Sequence, residues 1–309
     1  MLGRKSCHAG ECFRDGFIGA DFGIREDLNG RLPEQWKPFN KEYIPIFLRN
    51  NPGKTRVAAG LACAALWTIS KEIQIGDTIL SPDGQGSYRV GRVAGDYTYS
   101  VSGNLPHRRK IDWADQSILR SSMSDDLKHS CGAIGTVSTV SRYADEIESL
   151  IQGRPKFSEQ ACAGEVLALE EARTFAMEKH LEEFLVHNWK QTELGAEYEI
   201  YTDEDGNLGQ QFPSDTGPID ILALSKDKKK LLVVELKKGR ASDAVVGQVA
   251  RYMGYVREEL AEEGQVVEGL IIALDDDLRI RRAISSIPAV RFCRYQVSFK
   301  LLQSAVPSQ

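Results

Sequence analysis

The sequence predicts a mixed α/β protein in two parts: a mostly β N-terminal domain, then an α/β domain whose mixed sheet is flanked by helices. Three observations carry that reading. From about residue 13 to 120, short β-like runs alternate with Gly, Asp and Pro punctuation, the pattern of compact β structure. From residue 161 onward, helical periodicities and apolar strands alternate in the order α-β-β-β-α-β-α-β, which folds as a sheet with helices packed on its faces. Between them, Gln152 to Ser158 breaks the periodicity with Gly153 and Pro155. The expected division is therefore 1–152, a linker at 153–160, and 161–309.

In the first part, Asp77–Leu80 and Tyr88–Val93 read as strands, and Ser81-Pro82-Asp83-Gly84-Gln85-Gly86 between them reads as a turn. A helix is expected from Ser141 to Ile151, with Ala144, Ile147, Leu150 and Ile151 at helical spacing. The second part should open with a long helix from about Gly164 to Trp189, whose apolar face holds Met177, Leu181, Phe184 and Leu185. A strand follows at Glu197–Tyr201 and a turn at Asp205–Asn207. The strands Ile219–Leu224 and Leu231–Leu236 are joined by a polar hairpin at Ser225–Lys230. A helix from Ser242 to Glu263, an apolar strand from Gly269 to Leu274 and a helix from Asp277 to Ser286 come next. Short strands at Val290–Arg294 and Val297–Leu302 complete the order.

At 309 residues, 42% hydrophobic and 27% charged, the chain has the composition of a globular protein rather than a disordered one. It holds no apolar run of about 18 residues, and its first residues lack the apolar stretch of a secretory signal, so a cytoplasmic location is expected. The six cysteines show no framework spacing and are expected to be reduced. A net charge of −5 does not exclude nucleic acid, because binding depends on where the positive groups cluster. Two clusters stand out: His107-Arg108-Arg109-Lys110 and the lysine-rich stretch from Lys226 to Arg240.

The chemistry concentrates in Gly217-Pro218-Ile219-Asp220, then fourteen residues, then Glu235-Leu236-Lys237. Side chains alternate along a strand, so Glu235 and Lys237 share a face, and the hairpin brings Asp220 beside them. A carboxylate on an otherwise apolar strand is costly without a partner. A hard oxygen site for Mg²⁺, with Mn²⁺ as a substitute, would supply one. Such an ion activates water and neutralises phosphate charge in phosphodiester hydrolysis, and Lys237 would stabilise the charge that develops. Gln248 and Tyr252, four apart on the following helix, share one face and could reach the same place. Glu182 is a candidate third carboxylate and metal ligand, with Glu183 behind it. Lys238 points to the opposite face and, with Arg240, is a candidate contact to a DNA backbone.

These residues resemble the PD-(D/E)xK nuclease superfamily, in particular its Mrr-like and NucS-like branch, in which a QxxxY helix follows the motif. The likeness runs over roughly the last 140 residues. It includes Leu181-Glu182-Glu183-Phe184-Leu185, Val234 to Arg240, and Gly247 to Tyr252. It implies a restriction-endonuclease-like fold and metal-dependent cleavage of double-stranded DNA; cutting both strands needs two sites, so a homodimer or a pair of monomers meeting on DNA is expected. The proline of the motif stands one position early here, while the candidate ligand Asp220 is kept.

The first part carries aromatic residues in polar, Gly-rich settings, as base recognition by flipping requires. Phe17–Gly23, Leu66–Ile69, Ile75–Thr78, Gly95–Tyr99 and Leu105–Trp113 resemble an EVE/YTH-type PUA-like domain, of the kind fused to modification-dependent restriction enzymes. That resemblance implies a pocket for a flipped, modified base, with Phe22, Trp36, Trp67, Tyr99 and Asp21 as its candidates. His107, Arg108, Arg109 and Lys110 would hold the DNA backbone. The expected function is modification-dependent endonuclease activity. The alternatives are NucS-like cutting of mismatched or branched DNA, and a defence nuclease gated by a small nucleotide.

Overall fold

A computed structural model describes residues 2–3, 6–131, 137–153, 181–202, 209–276 and 278–296. The fold is mixed α/β with two sheets. The first sheet is antiparallel, with strands β1 (Phe17–Ala20), β2 (Thr78–Pro82), β3 (Ser87–Tyr99) and β4 (His107–Leu119) in the order β1-β4-β3-β2. β2 and β3 are joined across the turn that Pro82, Asp83 and Gly84 predict. Asp83 supports it by accepting from the backbone N–H groups of Gln85 and Ser87.

Apart from the helix expected over Ser141–Ile151, the helices of this half are not expected from the sequence. After a short helix α1 (Ala9–Asp15) and strand β1, helices α2 (Trp36–Asn50) and α3 (Arg56–Trp67) precede β2, and a π-type turn at Thr68–Glu72 extends α3. α3 is buried nearly all round, from Val57 to Trp67, so it shows no amphipathic stripe to read. Thr55 caps it by accepting from the Ala58 N–H. α2 carries Pro45 inside it, a residue that argues against a helix when read alone. Near the end of this half, α4 (Asp125–Cys131) and α5 (Ala144–Ile151) follow β4, the second of them where the helical spacing places it.

The expected linker and most of the long helix before Trp189 lie outside the described residues, as do the turn at Asp205–Asn207 and the strand at Val297–Leu302. Helical residues 181–188 form α6. They lead through α7 (Glu193–Glu197) into a second sheet built from β5 (Tyr198–Ile200), β6 (Gln210–Phe212), β7 (Ile219–Ser225), β8 (Lys230–Arg240), β9 (Val266–Asp275) and β10 (Val290–Arg294). The order is β10-β9-β8-β7-β5, with β6 also on β7. β8, β9 and β10 run parallel, while β7 is antiparallel to β8. The parallel crossovers are made by α8 (Asp243–Tyr255) with its π-type extension Val256–Leu260, and by α9 (Leu278–Ser285).

Alternation along β8 assigns its side chains to two cores. Leu231 and Val233 pack with Leu222, Ile271 and the α8 residues Val245, Val249 and Met253. Leu232, Val234 and Leu236 pack on the other face with Ile221, Leu270 and Ile272, against Leu181 and Leu185 of α6. Both faces are covered, as a strand with a parallel neighbour requires, and each such side chain contributes roughly 1.5–3 kcal/mol over exposure.

The two halves are joined by α2 and α3. Val57 belongs to the same apolar cluster as the α8 side of the second sheet, and Trp36 and Leu61 pack against it. Arg56 donates from Nε and Nη2 to the Glu259 carbonyl at 3.2 and 2.9 Å, and the Thr55 hydroxyl lies 2.8 Å from that of Tyr201. Gly60 meets Leu260 so closely that an added Cβ would lie 2.4 Å from its Cδ2.

Candidate active site

The site forms where β7 and β8 run out of ladder. Ile221 pairs with Val234, and extending that antiparallel register by one residue sets Asp220 across from Glu235. Cross-strand partners share a face. Beyond that point Asp220 replaces a ladder bond with its side chain: Oδ2 accepts from the Leu236 N–H at 2.8 Å. On β8, Glu235 and Lys237 are paired with Ile271 and Ala273 of β9, whose side chains lie in the core beneath α8. Glu235 and Lys237 therefore share the α8 face, and the extended register sets Asp220 beside them. Glu235 is only 2% exposed, and the Lys237 ammonium donates to its Oε1 at 2.8 Å.

α8 covers that face. Gln248 and Tyr252 stand one turn apart on it, and the Gln248 amide donates to the Tyr252 hydroxyl at 3.1 Å. Burial raises the Tyr252 hydroxyl above its usual range, with the negative charges of Glu235 and Asp220 adding to it. The loop entering β7 runs close beneath: Gly217 has φ +124°, and a Cβ there would lie 3.2 Å from the Tyr252 hydroxyl.

Glu182 arrives from α6 and is 6% exposed. Its Oε1 accepts from Gln210 Nε2 at 2.7 Å and its Oε2 from Gln211 Nε2 at 2.6 Å. Gln211 Nε2 also lies 3.2 Å from Asp220 Oδ1, so one amide joins the two carboxylates. Burial, then the charge of Asp220, pushes the Glu182 carboxyl up to about 7. Among the described residues no group of three or more His, Cys, Asp or Glu side chains stands close enough to hold an ion together. Of the expected ligand set Asp220, Glu235 and Glu182, both Glu182 oxygens accept from glutamine amides here, and Asp220 and Glu235 are the candidate donors on neighbouring strands. Their chemistry fits a hard divalent cation, since both are carboxylates from neighbouring strands, and Lys237 of the same strand bonds Glu235. Gln210 and Gln211 were missed by sequence reasoning, and no local signal marks them.

The backbone-binding set separates by strand alternation. His107 is fully buried, with Nε2 2.6 Å from the Ile24 carbonyl and Nδ1 2.8 Å from the Tyr97 hydroxyl. Arg109 is 5% exposed and donates to the Ile69 and Ser70 carbonyls. Both face the interior of β4, so neither offers its charge to a phosphate, and that expectation is corrected. Arg108 lies over the Phe17 ring at 4.0 Å and bonds the Leu105 carbonyl, while Lys110 is exposed. Lys238 and Arg240 sit where the β8–β9 register shifts, and Arg240 is exposed.

The aromatic set gathers around one apolar cluster rather than an open slot. Trp67 is 6% exposed, its Nε1 donates to Glu72 Oε1 at 3.0 Å, and its ring is covered by Phe39 and Lys71. Trp36 packs against it with ring centroids 6.1 Å apart, and Phe22 and Tyr99 line the cluster's edge. Asp21 is occupied with the Gly23 N–H and Arg25. Trp67 thus serves the core in this structure, with Trp36, Phe22 and Tyr99 packed, partly buried, against the same cluster.

Residues 177–281 match the family model of the Endonuclease NucS C-terminal domain, and residues 3–142 match that of a domain of unknown function, DUF8426. No curated protein matches the chain. Among solved structures, an EndoMS–dsDNA complex is similar at 14% identity and TM-score 0.33, over 72% of this chain and 66% of that one. A repair endonuclease from Pyrococcus abyssi is similar at 12% identity and TM-score 0.31, over 71% and 65%. EndoMS in its apo form is similar at 14% identity and TM-score 0.30, over 72% and 79%. The chain thus spans about two thirds of the length of the first two.

Proposed function

We propose that this chain is a divalent-metal-dependent DNA endonuclease of the NucS type that cuts mismatched or branched duplexes. The observation that carries the reading is the shared face of Asp220, Glu235 and Lys237 beneath Gln248 and Tyr252, inside the segment similar to the NucS endonuclease domain. Asp220 and Glu235 would hold Mg²⁺ or Mn²⁺. The ion, when bound, lowers the pKa of a coordinated water and offsets charge on the phosphate. Asp220 is kept in place by the Leu236 N–H, so its carboxylate needs no rearrangement to bind. Lys237 supplies positive charge on the same face, where charge grows on the phosphorane oxygens. Tyr252 and Gln248 bring a hydroxyl and an amide that can orient the scissile backbone. α8 over the sheet excludes water from Glu235, which strengthens its interactions, while Asp220 stays partly open.

The N-terminal aromatic residues give a modified-base trigger no comparable support, since Trp67 is buried in the core and Trp36 packs, partly buried, against it. Cutting both strands calls for two sites, which a homodimer would supply. The experiment is a cleavage panel of matched, mismatched, branched, methylated, hydroxymethylated and glucosylated duplexes with Mg²⁺, Mn²⁺ or EDTA. Metal-dependent cutting confined to mismatched or branched duplexes is expected. Cutting confined to modified duplexes would replace the proposed trigger, and an inert protein on every substrate and metal would remove the nuclease reading.

A further inference from the structure

Gln211 breaks a rule of strand geometry. It is the middle residue of β6, whose neighbours Gln210 and Phe212 pair with Ile221 and Ile219 of β7, so Gln211 falls opposite Asp220. Its φ is +48°, the left-handed region that costs a residue with a side chain of order 1–3 kcal/mol unless its surroundings hold it there. Consecutive strand residues send their side chains to opposite faces. Here Gln210 and Gln211 reach the same carboxylate, Glu182, from 2.7 and 2.6 Å. The left-handed residue is what allows it. The same turn of the backbone brings the Gln211 amide nitrogen to Asp220 Oδ1.

We infer that Gln211 is a positioning residue of the metal site: its amide, held by a strained backbone, ties the Asp220 carboxylate to the buried Glu182 and so fixes Asp220 for the ion. The inference rests on the nuclease reading above and adds a residue to it. An amide nitrogen has two hydrogens and no acceptor, so it satisfies two carboxylates at once and adds no charge of its own. Hydrogen-bonded partners that orient metal-binding carboxylates typically change metal affinity by about 10–100-fold when removed. A purely structural role would not choose this conformation, because glycine adopts φ +48° without strain.

That last point supplies the test. Gln211→Gly relieves the backbone and deletes the amide, while Gln211→Ala keeps the strain and deletes the amide. Mn²⁺ binding is measured directly by electron paramagnetic resonance on the full chain, alongside Tm without metal and Mg²⁺ titrations of cleavage. Both variants are expected to bind Mn²⁺ about tenfold more weakly and to need about tenfold more Mg²⁺ for half-maximal cleavage. At saturating Mg²⁺ their kcat should recover most of the loss, and the Tm of Gln211→Gly should be no lower than that of Gln211→Ala. Wild-type Mn²⁺ affinity in either variant overturns the assignment while leaving the nuclease standing. So does a Tm of Gln211→Gly below that of Gln211→Ala, which would make Gln211 a folding residue. Absence of Mn²⁺ binding and of cleavage in the unaltered protein overturns the nuclease reading, and this assignment with it.

Discussion

The Asn40 amide nitrogen lies 2.5 Å from Glu259 Oε2, a buried contact between residues 219 positions apart. Asn40 is on α2, and Glu259 is in the π-type turn that ends α8, the helix whose earlier turns carry Gln248 and Tyr252. The helix over the active site is thereby tied to the N-terminal half by a buried polar bond, by Arg56 on the Glu259 carbonyl and by Lys37 with Glu258. Desolvation raises the Glu259 carboxyl above its ordinary value, with Asp215 adding to it and Asn40 opposing it.

The pH consequence of that burial follows from linkage. A carboxyl whose folded pKa lies above its unfolded one binds more protons in the folded state, so stability falls as pH rises through that interval. Glu259→Gln keeps an acceptor for Asn40 and removes the buried charge. It should therefore raise Tm at pH 7–8, with the gain vanishing below about pH 4.5, where the unfolded carboxyl is protonated as well. Thermal melts of both proteins across pH 4–8 check this, and a variant less stable at every pH contradicts it. Asn40→Ala should lower Tm throughout, because it strands the carboxylate in the interface.

The catalytic face makes a sharper prediction. Asp220→Asn leaves an oxygen to accept from the Leu236 N–H and so should fold normally, yet it should reduce cleavage to background. Lys237→Ala should cost about 10²–10³-fold in kcat. It should also destabilise the protein, because Glu235 at 2% exposure loses its ammonium partner. Breaking a fully buried pair costs about 3–5 kcal/mol, and the partial exposure of Lys237 reduces that to about 1–2 kcal/mol. Lys238→Ala should leave cleavage near that of the wild type. Denaturant titrations beside single-turnover kinetics separate the two effects, and equal loss from Lys237→Ala and Lys238→Ala would contradict the assignment.

How far each of these residues was legible depends on which physical rule governs it. Asp220, Glu235 and Lys237 follow from period-two alternation and a short hairpin, which are local. The same rule, applied to β4, separates inward His107 and Arg109 from outward Arg108 and Lys110, a division that four consecutive basic residues hide when taken as one block of charge. α3 escaped because a helix buried on all sides carries no stripe. The role of Gln210 and Gln211 depends on a left-handed backbone at residue 211 and on α6 arriving alongside, and neither leaves a mark in a Gly-Gln-Gln-Phe stretch. Trp36 and Trp67 look alike in a pocket and in a core, and the packing of α2 on α3 decides between them.

A glycine at the mouth of the site gives a further check. Gly217 combines φ +124° with a Cβ position 3.2 Å from the Tyr252 hydroxyl. Gly217→Ala therefore adds backbone strain of about 1–3 kcal/mol and pushes on the one tyrosine that Gln248 orients. Stability and cleavage should both fall, and Tyr252→Phe, which shortens the crowded side chain, should restore part of the stability lost to Gly217→Ala. A double-mutant cycle in Tm measures that coupling, and strict additivity would show the contact to be without consequence.

The last prediction concerns His107, whose two nitrogens are both engaged in the interior. Nε2 faces a carbonyl and so carries the proton, which makes Nδ1 the acceptor for the Tyr97 hydroxyl; that hydroxyl in turn lies 3.4 Å from the Leu28 N–H. The network is complete for a neutral imidazole. Burial lowers the His107 pKa, and the bond to Ile24 offsets that only in part. Below pH 6.5 the unfolded state then binds a proton that the folded state resists, so this residue's contribution is full above pH 6.5 and is lost as pH falls through and below it. His107→Gln should be less stable than the wild type at pH 7.5, because it cannot reach both partners. The gap between the two should narrow by pH 5, as the wild type pays to keep its imidazole neutral. Urea midpoints at pH 7.5, 6.5 and 5.5 measure it, and a gap that widens toward acid would mean that His107 is buried charged, with Tyr97 accepting from it instead.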